Sequence, residues 1–89
     1  MSDREARRLI AFLFHATRGG PTRLALVKAL AERPMNANEL ARKLGVDYKT
    51  VRHHLTVLME HGLVERLGEG YGAVYVVSSL LKKYWDLLE

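Results

Sequence analysis

The chain has 89 residues, 48% hydrophobic and 27% charged, with no cysteine and a formal net charge of +4. That length supports one small domain, residues 1–89, since short chains bury proportionally little surface, and the missing thiols exclude disulfides and thiolate metal sites. No apolar run approaches the ~20 residues of a membrane span, and the N-terminal MSDREARR has no secretory pattern, so a cytoplasmic protein with no membrane partner is expected.

The sequence pI of about 9.7 favours an anionic partner. The excess of Lys and Arg is N-terminal: nine against four acidic residues up to Val46, two against two from Asp47 to His61, and three against four from Gly62 onward. Glutamine is absent and asparagine occurs only at positions 36 and 38, a usage that points toward a thermophilic source.

Ser2 with Glu5 three residues on reads as a capping box that opens a first helix ending near Arg18-Gly19-Gly20. Its apolar positions, Ala6, Leu9, Ile10, Phe12, Leu13 and Phe14, span roughly 200° of the helix circumference, wider than one core-facing stripe, so two buried sides are expected. Pro21 suits the first turn of a second helix with Leu24, Val27, Leu30 and Ala31 on its buried face, stopped by Arg33-Pro34. Asn36 and Glu39 cap a third helix containing Leu40, Ala41 and Leu44, closed by Gly45, and Asp47 caps a fourth that ends at a left-handed Gly62.

Leu63 to Leu67 and Ala73 to Val77 are rich in β-formers and are joined by Gly68-Glu69-Gly70-Tyr71-Gly72, the pattern of a hairpin. Ser78 or Ser79 then caps a last helix, where Leu80, Leu81, Tyr84, Trp85, Leu87 and Leu88 fall within roughly 160°. The fold class is therefore mainly α with a small β-hairpin, in the order α-α-α-α-β-β-α. Two helices joined by a short glycine turn and followed by a hairpin outline a winged helix-turn-helix, which sets its second helix in the DNA major groove.

Helical angles decide which residues of the fourth helix face outward. With Val51 as zero, Leu55 and Leu58 lie within roughly 40°, Lys49, His53 and Thr56 at roughly 140° to 200°, and Arg52 near 100°. Lys49 and Arg52 suit guanine O6/N7 or phosphate, Thr50 and Thr56 either role, and Tyr48 either a core edge or a phosphate. The competing reading of the same face is a solvated helix surface. His54, near 300°, packs or hydrogen-bonds to backbone or phosphate. In the hairpin tip, Arg66 and Tyr71 are the residues placed to touch a DNA backbone or minor groove, against acidic Glu65 and Glu69 that weaken such a contact.

The stretches GGPTRLALVKAL, NANELARKLGVDYKTVRHHLTVLMEHGLVE and YGAVYVV resemble successive motifs of the ArsR-type, or arsenic-repressor-like, winged-helix transcription regulators, from about Gly19 to Val77. That resemblance implies a homodimer whose first and last helices form the interface, here through Leu9, Phe12, Leu13, Tyr84, Trp85 and Leu88. It implies DNA contact by Tyr48, Lys49, Thr50, Arg52 and His53, and it puts His54 at the histidine of the family's RHL element. The chain departs from metal-sensing members: its third helix reads NELARKL without thiols, and its last offers only Asp86 and Glu89.

No metal or cofactor is expected. His53 and His54 diverge by about 100°, and His54 and His61 lie about 10.5 Å apart along the axis, too far for bonds of ~2 Å to one ion. No phosphate loop, nucleophile elbow or paired carboxylates mark an enzyme. The expected function is sequence-specific binding of double-stranded DNA by a homodimer, with helix 47–61 in the major groove. The alternative is a winged-helix module for protein assembly, which the electroneutral fourth helix and the acidic hairpin tip also fit; RNA is a weaker reading, since only Tyr48 and Tyr71 offer stacking rings.

Overall fold

A computed structural model describes residues 1–89. Its elements run α1 (Asp3–His15), α2 (Gly20–Glu32), α3 (Ala37–Leu44), α4 (Tyr48–Glu60), β1 (Val64–Leu67), β2 (Val74–Val77) and α5 (Ser79–Lys83), followed by a 3-10 turn at Trp85–Leu88. This is the expected order, a helical body carrying an antiparallel hairpin, and no helix is long and apolar enough to cross a membrane.

Local chemistry sets the ends of these helices. The Glu5 N–H donates to Ser2 Oγ at 3.1 Å while the Ser2 N–H donates to the Glu5 carboxylate at 3.3 Å. The same reciprocal pair, at 2.8 and 2.9 Å, joins Glu39 and Asn36 at the start of α3. Gly45 closes α3 at φ 66° and Gly62 follows α4 at φ 71°, a left-handed conformation that penalises any Cβ. Ser78, not Ser79, caps α5, accepting from the Leu81 N–H at 3.2 Å.

Three differences from the sequence expectation have physical causes. First, α1 stops at His15, and the two glycines that follow serve close approach rather than a left-handed turn. A Cβ on Gly20 would lie 2.5 Å from the Phe14 carbonyl oxygen, so α2 starts against the end of α1. Second, the buried arc of α2 is rotated: Arg23, Leu26, Val27, Ala29 and Leu30 are buried, Leu24 is half-buried and Ala31 is exposed. This central helix packs on α1, α3 and β2, and a cation occupies one of its core positions.

Third, the last helix is broken. After one turn of α5 the chain tightens at Tyr84 into the 3-10 segment, because Tyr84 turns inward and its hydroxyl donates to the Asp3 carboxylate at 2.8 Å. His15 Nε2 and the Leu87 carbonyl, 2.7 Å apart, make a second tie between the chain ends. The hairpin also pairs with a segment that no local pattern marks. Met35, between α2 and α3, bridges Tyr75 through N–H donations in both directions, at 2.8 and 3.4 Å. Wing and helical body are thereby joined by backbone as well as by side chains.

The core is one cluster of 21 buried residues, among which Ile10, Leu26, Val27, Leu40, Val51, Leu55, Leu58, Leu63 and Leu81 are fully enclosed. The apolar face of α4 read from its periodicity, Val51, Leu55 and Leu58, is thus the face that holds it. At roughly 1.5–3 kcal/mol per buried aliphatic side chain, those three contribute about 5–9 kcal/mol of gross burial, which fixes the rotation of α4 about its axis.

Candidate nucleic-acid interface

With Val51, Leu55 and Leu58 inward, the opposite side of α4 presents Lys49, Arg52, His53 and Thr56 to solvent, with Tyr48 and Thr50 half-buried at its start. The helix begins at Asp47, whose carboxylate accepts the Thr50 hydroxyl. That bond, aided by backbone N–H groups around the cap, holds the Asp47 carboxyl below its usual range. Thr50 is therefore committed to the cap, and the Thr56 hydroxyl donates back to the Arg52 carbonyl at 2.9 Å, which leaves each with spare acceptor capacity only.

Arg52 is held differently. Its Nη1 donates to the Tyr48 hydroxyl at 3.0 Å and its guanidinium carbon stands 5.8 Å from the centre of the Tyr48 ring. These contacts raise its pKa further above the ordinary arginine value, with the Tyr48 hydroxyl the main cause. The three ion pairs of the protein join Arg7 to Asp3, Arg33 to Glu39 and Lys43 to Glu32. Neither Lys49 nor Arg52 takes part, so the cations on the outward face of α4 remain available to an external anion.

The adjacent histidines separate. His53 is exposed, whereas His54 is 6% exposed and its Nδ1 lies 3.2 Å from Nη1 of Arg23, also 6% exposed. The guanidinium can only donate, so His54 accepts through Nδ1 and is neutral, with its proton on Nε2. Burial, then the charge of Arg23, then that of His53, lowers the His54 pKa below 6.5. Arg23 also donates from Nε to the Leu13 carbonyl at 2.9 Å and from Nη2 to the Thr17 hydroxyl. A single side chain of α2 thus ties the end of α1 to α4.

Gly19 is pressed onto this network: a Cβ there would meet Arg23 Nη1 at 2.6 Å and His54 Cε1 at 2.9 Å. Sequence reasoning passed over Arg23. The available signal was its spacing, three, four and seven residues before Leu26, Val27 and Leu30, which places it on their face despite its charge.

Beside the start of α4, the hairpin brings Arg66 across from Tyr75 in register, and Tyr71 at the tip is 88% exposed. Arg66 and Arg52 face a common cleft, so the hairpin and the start of α4 form one continuous surface. Of the apolar residues on the terminal helices, Leu13, Tyr84 and Leu88 are buried in the protomer's own core, 2% to 5% exposed, while Phe12 is 57% exposed and Leu9 and Trp85 are half-buried. No three His, Cys, Asp or Glu side chains are grouped as a metal would require.

Residues 20–66 match the model of the arsR family of bacterial regulatory proteins, and the chain is 33% identical over 73 residues to an uncharacterised HTH-type transcriptional regulator of Methanocaldococcus jannaschii, covering 80% of this chain and 82% of that one. The chain belongs to the ArsR family. Solved structures agree: the transcriptional repressor BigR of Xylella fastidiosa superposes with TM-score 0.73 at 28% identity, covering 94% of this chain and 80% of that one. Reduced HlyU of Vibrio cholerae superposes with TM-score 0.74 at 23% identity over 96% and 87% of the two chains. A homodimeric winged helix-turn-helix DNA-binding domain of Mycobacterium bovis does so with TM-score 0.70 at 24% identity over 99% and 81%. This ArsR-family chain is accordingly a winged helix-turn-helix transcription regulator, with α3 and α4 as its helix-turn-helix and β1–β2 as its wing.

Proposed function

We propose that this ArsR-family regulator, one winged helix-turn-helix unit over residues 1–89, works in the cytoplasm as a homodimer. Each protomer inserts α4 into the major groove of a pseudo-palindromic double-stranded DNA site. Lys49, Arg52 and His53 meet base edges or phosphates, Tyr48 and Thr50 flank them, Thr56 lies further along the same face, and Arg66 reaches the backbone from the wing. The observation that carries this reading is the outward face of α4, whose two cations have no carboxylate partner within the protein. No catalytic role is part of the proposal.

One protomer, 35 Å in its longest dimension, presents one reading helix. A two-fold pair would present two, spaced about 34–36 Å for grooves one turn apart. Phe12, Leu9 and Trp85 supply the apolar surface for pairing, and the homodimeric Mycobacterium bovis domain of the same fold supports that arrangement. In the proposal, Leu13, Tyr84 and Leu88 support that interface from beneath.

The test is duplex selected from a random pool, with binding measured from about 50 to 200 mM salt. Wild-type affinity should fall steeply with salt, and Lys49→Ala with Arg52→Ala should weaken it by about 2–5 kcal/mol while leaving the fold intact. Affinity of the double variant equal to wild type would refute the assignment of α4. Recovery of a stable heteromeric partner that abolishes DNA binding would instead favour the assembly-module reading.

A further inference from the structure

Between the start of α4 and the wing lies a cleft of about 370 Å³. Arg52 and Tyr48 from α4, Asn38 from α3, Arg66 from β1, Tyr71 from the tip and Tyr75 from β2 supply its polar atoms and rings, and no carboxylate lines it. Two guanidinium groups therefore share one concavity with no internal counter-charge.

Tyr75 is the second observation. It is 4% exposed, yet its hydroxyl has no hydrogen-bond partner in the protein and is not sealed from solvent, so its polar end opens into the cleft. The hydroxyl has no partner within the protein and reaches solvent, so it can exchange water for an acceptor atom of a ligand in the cleft. The Tyr48 hydroxyl accepts from Arg52, so its own proton is free to donate outward. Two arginine forks and two phenolic donors are thus set around a space walled by aromatic rings. The volume, about 370 Å³, falls within the range of small-molecule sites.

The geometry points to a binding site for a small aromatic anion, a flat ring bearing one carboxylate or phosphate, whose occupancy removes Arg52 and Arg66 from DNA. The anionic head takes the guanidinium groups in the bidentate manner that both head groups allow, with the Tyr75 hydroxyl as a further donor. The flat ring stacks against Tyr48 or Tyr71. The ligand site stands on the cleft itself; its effect on DNA rests on the proposed role of α4.

The probes are 2-naphthoate and adenosine 5′-monophosphate, with 2-naphthalenemethanol and adenosine as neutral counterparts and inorganic phosphate as a head group without a ring. Each is titrated into the full 89-residue chain without DNA, following the ring resonances of Tyr48 and Tyr75 and the side-chain N–H signals of Arg52 and Arg66. At least one aromatic anion should give saturable shifts there, and which one binds tells carboxylate from phosphate. Its neutral counterpart and inorganic phosphate should each bind at least about tenfold more weakly.

Arg66→Ala should weaken the anion by about tenfold, and Tyr75→Phe, which keeps the ring and deletes only the hydroxyl, by about threefold to tenfold at unchanged thermal stability. Absence of saturable shifts up to ~5 mM, equal binding of a neutral counterpart, or equal binding of inorganic phosphate would overturn the site. In a second measurement, a saturating anion should lower affinity for the selected duplex by about tenfold or more. If the anion binds and the protein–DNA affinity is unchanged, the coupling is refuted and the site stands. If the protein binds no duplex at all, the role of α4 falls instead.

Discussion

Replacing Gly20 by alanine sets two effects of known sign against each other. Gly20 lies in the first turn of α2 with φ outside the left-handed region, so alanine gains helix propensity worth up to about 1 kcal/mol. Against this, the new Cβ would sit 2.5 Å from the Phe14 carbonyl oxygen and 2.8 Å from its carbonyl carbon. Those atoms are backbone of α1 and cannot swing aside, so α1 and α2 must separate. Overpacking of this kind costs about 1–3 kcal/mol. The separation also stretches the Arg23 Nε bond to the Leu13 carbonyl, now 2.9 Å, a charged hydrogen bond worth about 1.5–3 kcal/mol when lost. The clash outweighs the propensity, and the net loss is about 2 kcal/mol. For a chain of this size that lowers Tm by about 8–16 °C. Gly72→Ala, at a glycine with no heavy atom within 4 Å of the added Cβ, should stay within about 0.5 kcal/mol of wild type. Thermal melts of the three proteins at one concentration decide the matter: a Gly20→Ala variant melting at or above wild type would refute the close-approach account of the Gly19-Gly20 connection.

The buried Arg23–His54 contact makes stability pH-dependent. Because the folded pKa of His54 lies below 6.5, the unfolded chain binds more protons, and this contribution is fully present above about pH 6.5 and is lost as pH falls through 6.5 toward the folded value. Urea midpoints should therefore drop between pH 7 and 5, with the His54 ring titrating below the ordinary imidazole value in NMR; constant midpoints over that range would contradict the neutral-acceptor assignment. Tyr84→Phe deletes the donor to Asp3, which holds the Asp3 carboxyl down and the phenol up, and should lower stability slightly while speeding amide exchange near residues 3–7 and 84–88. Protection unchanged at both ends would show that the 3-10 segment is held by packing alone. Phe12→Asp, on an exposed position of α1, should shift the solution mass from dimer to monomer and weaken operator binding without lowering helix content. A dimer of undiminished affinity would move the interface elsewhere.

What the sequence made legible was periodic or local. Capping boxes at Ser2 and Asn36 lie within four residues, the left-handed glycines 45 and 62 follow from helix closure, and the inward and outward faces of α4 are a matter of angle alone. What stayed hidden depends on contacts between distant residues. Nothing near Met35 announces a bridge to Tyr75 forty positions on, and no rule of periodicity assigns Arg23 to a histidine thirty-one residues away. The terminal helices carry broad apolar arcs, roughly 200° and 160°, and only packing divides those arcs: Leu13, Tyr84 and Leu88 go inward and Phe12 outward.

The division of the two histidines shows how fold and function meet in α4. Three aliphatic residues fix the helix's rotation but, being non-directional, tolerate small shifts along its axis. The Arg23 bond to His54 is directional and comes from a side chain that also holds the last turn of α1 through the Leu13 carbonyl. It therefore sets the axial position of α4 relative to the helix that carries Phe12 on its other side. In a dimer joined through α1, the distance between two reading helices is then governed by buried polar geometry rather than by grease alone. An operator with fixed half-site spacing demands that stiffness. His54 is spent on placing the helix, whereas its neighbour His53 stays exposed on the face proposed for DNA.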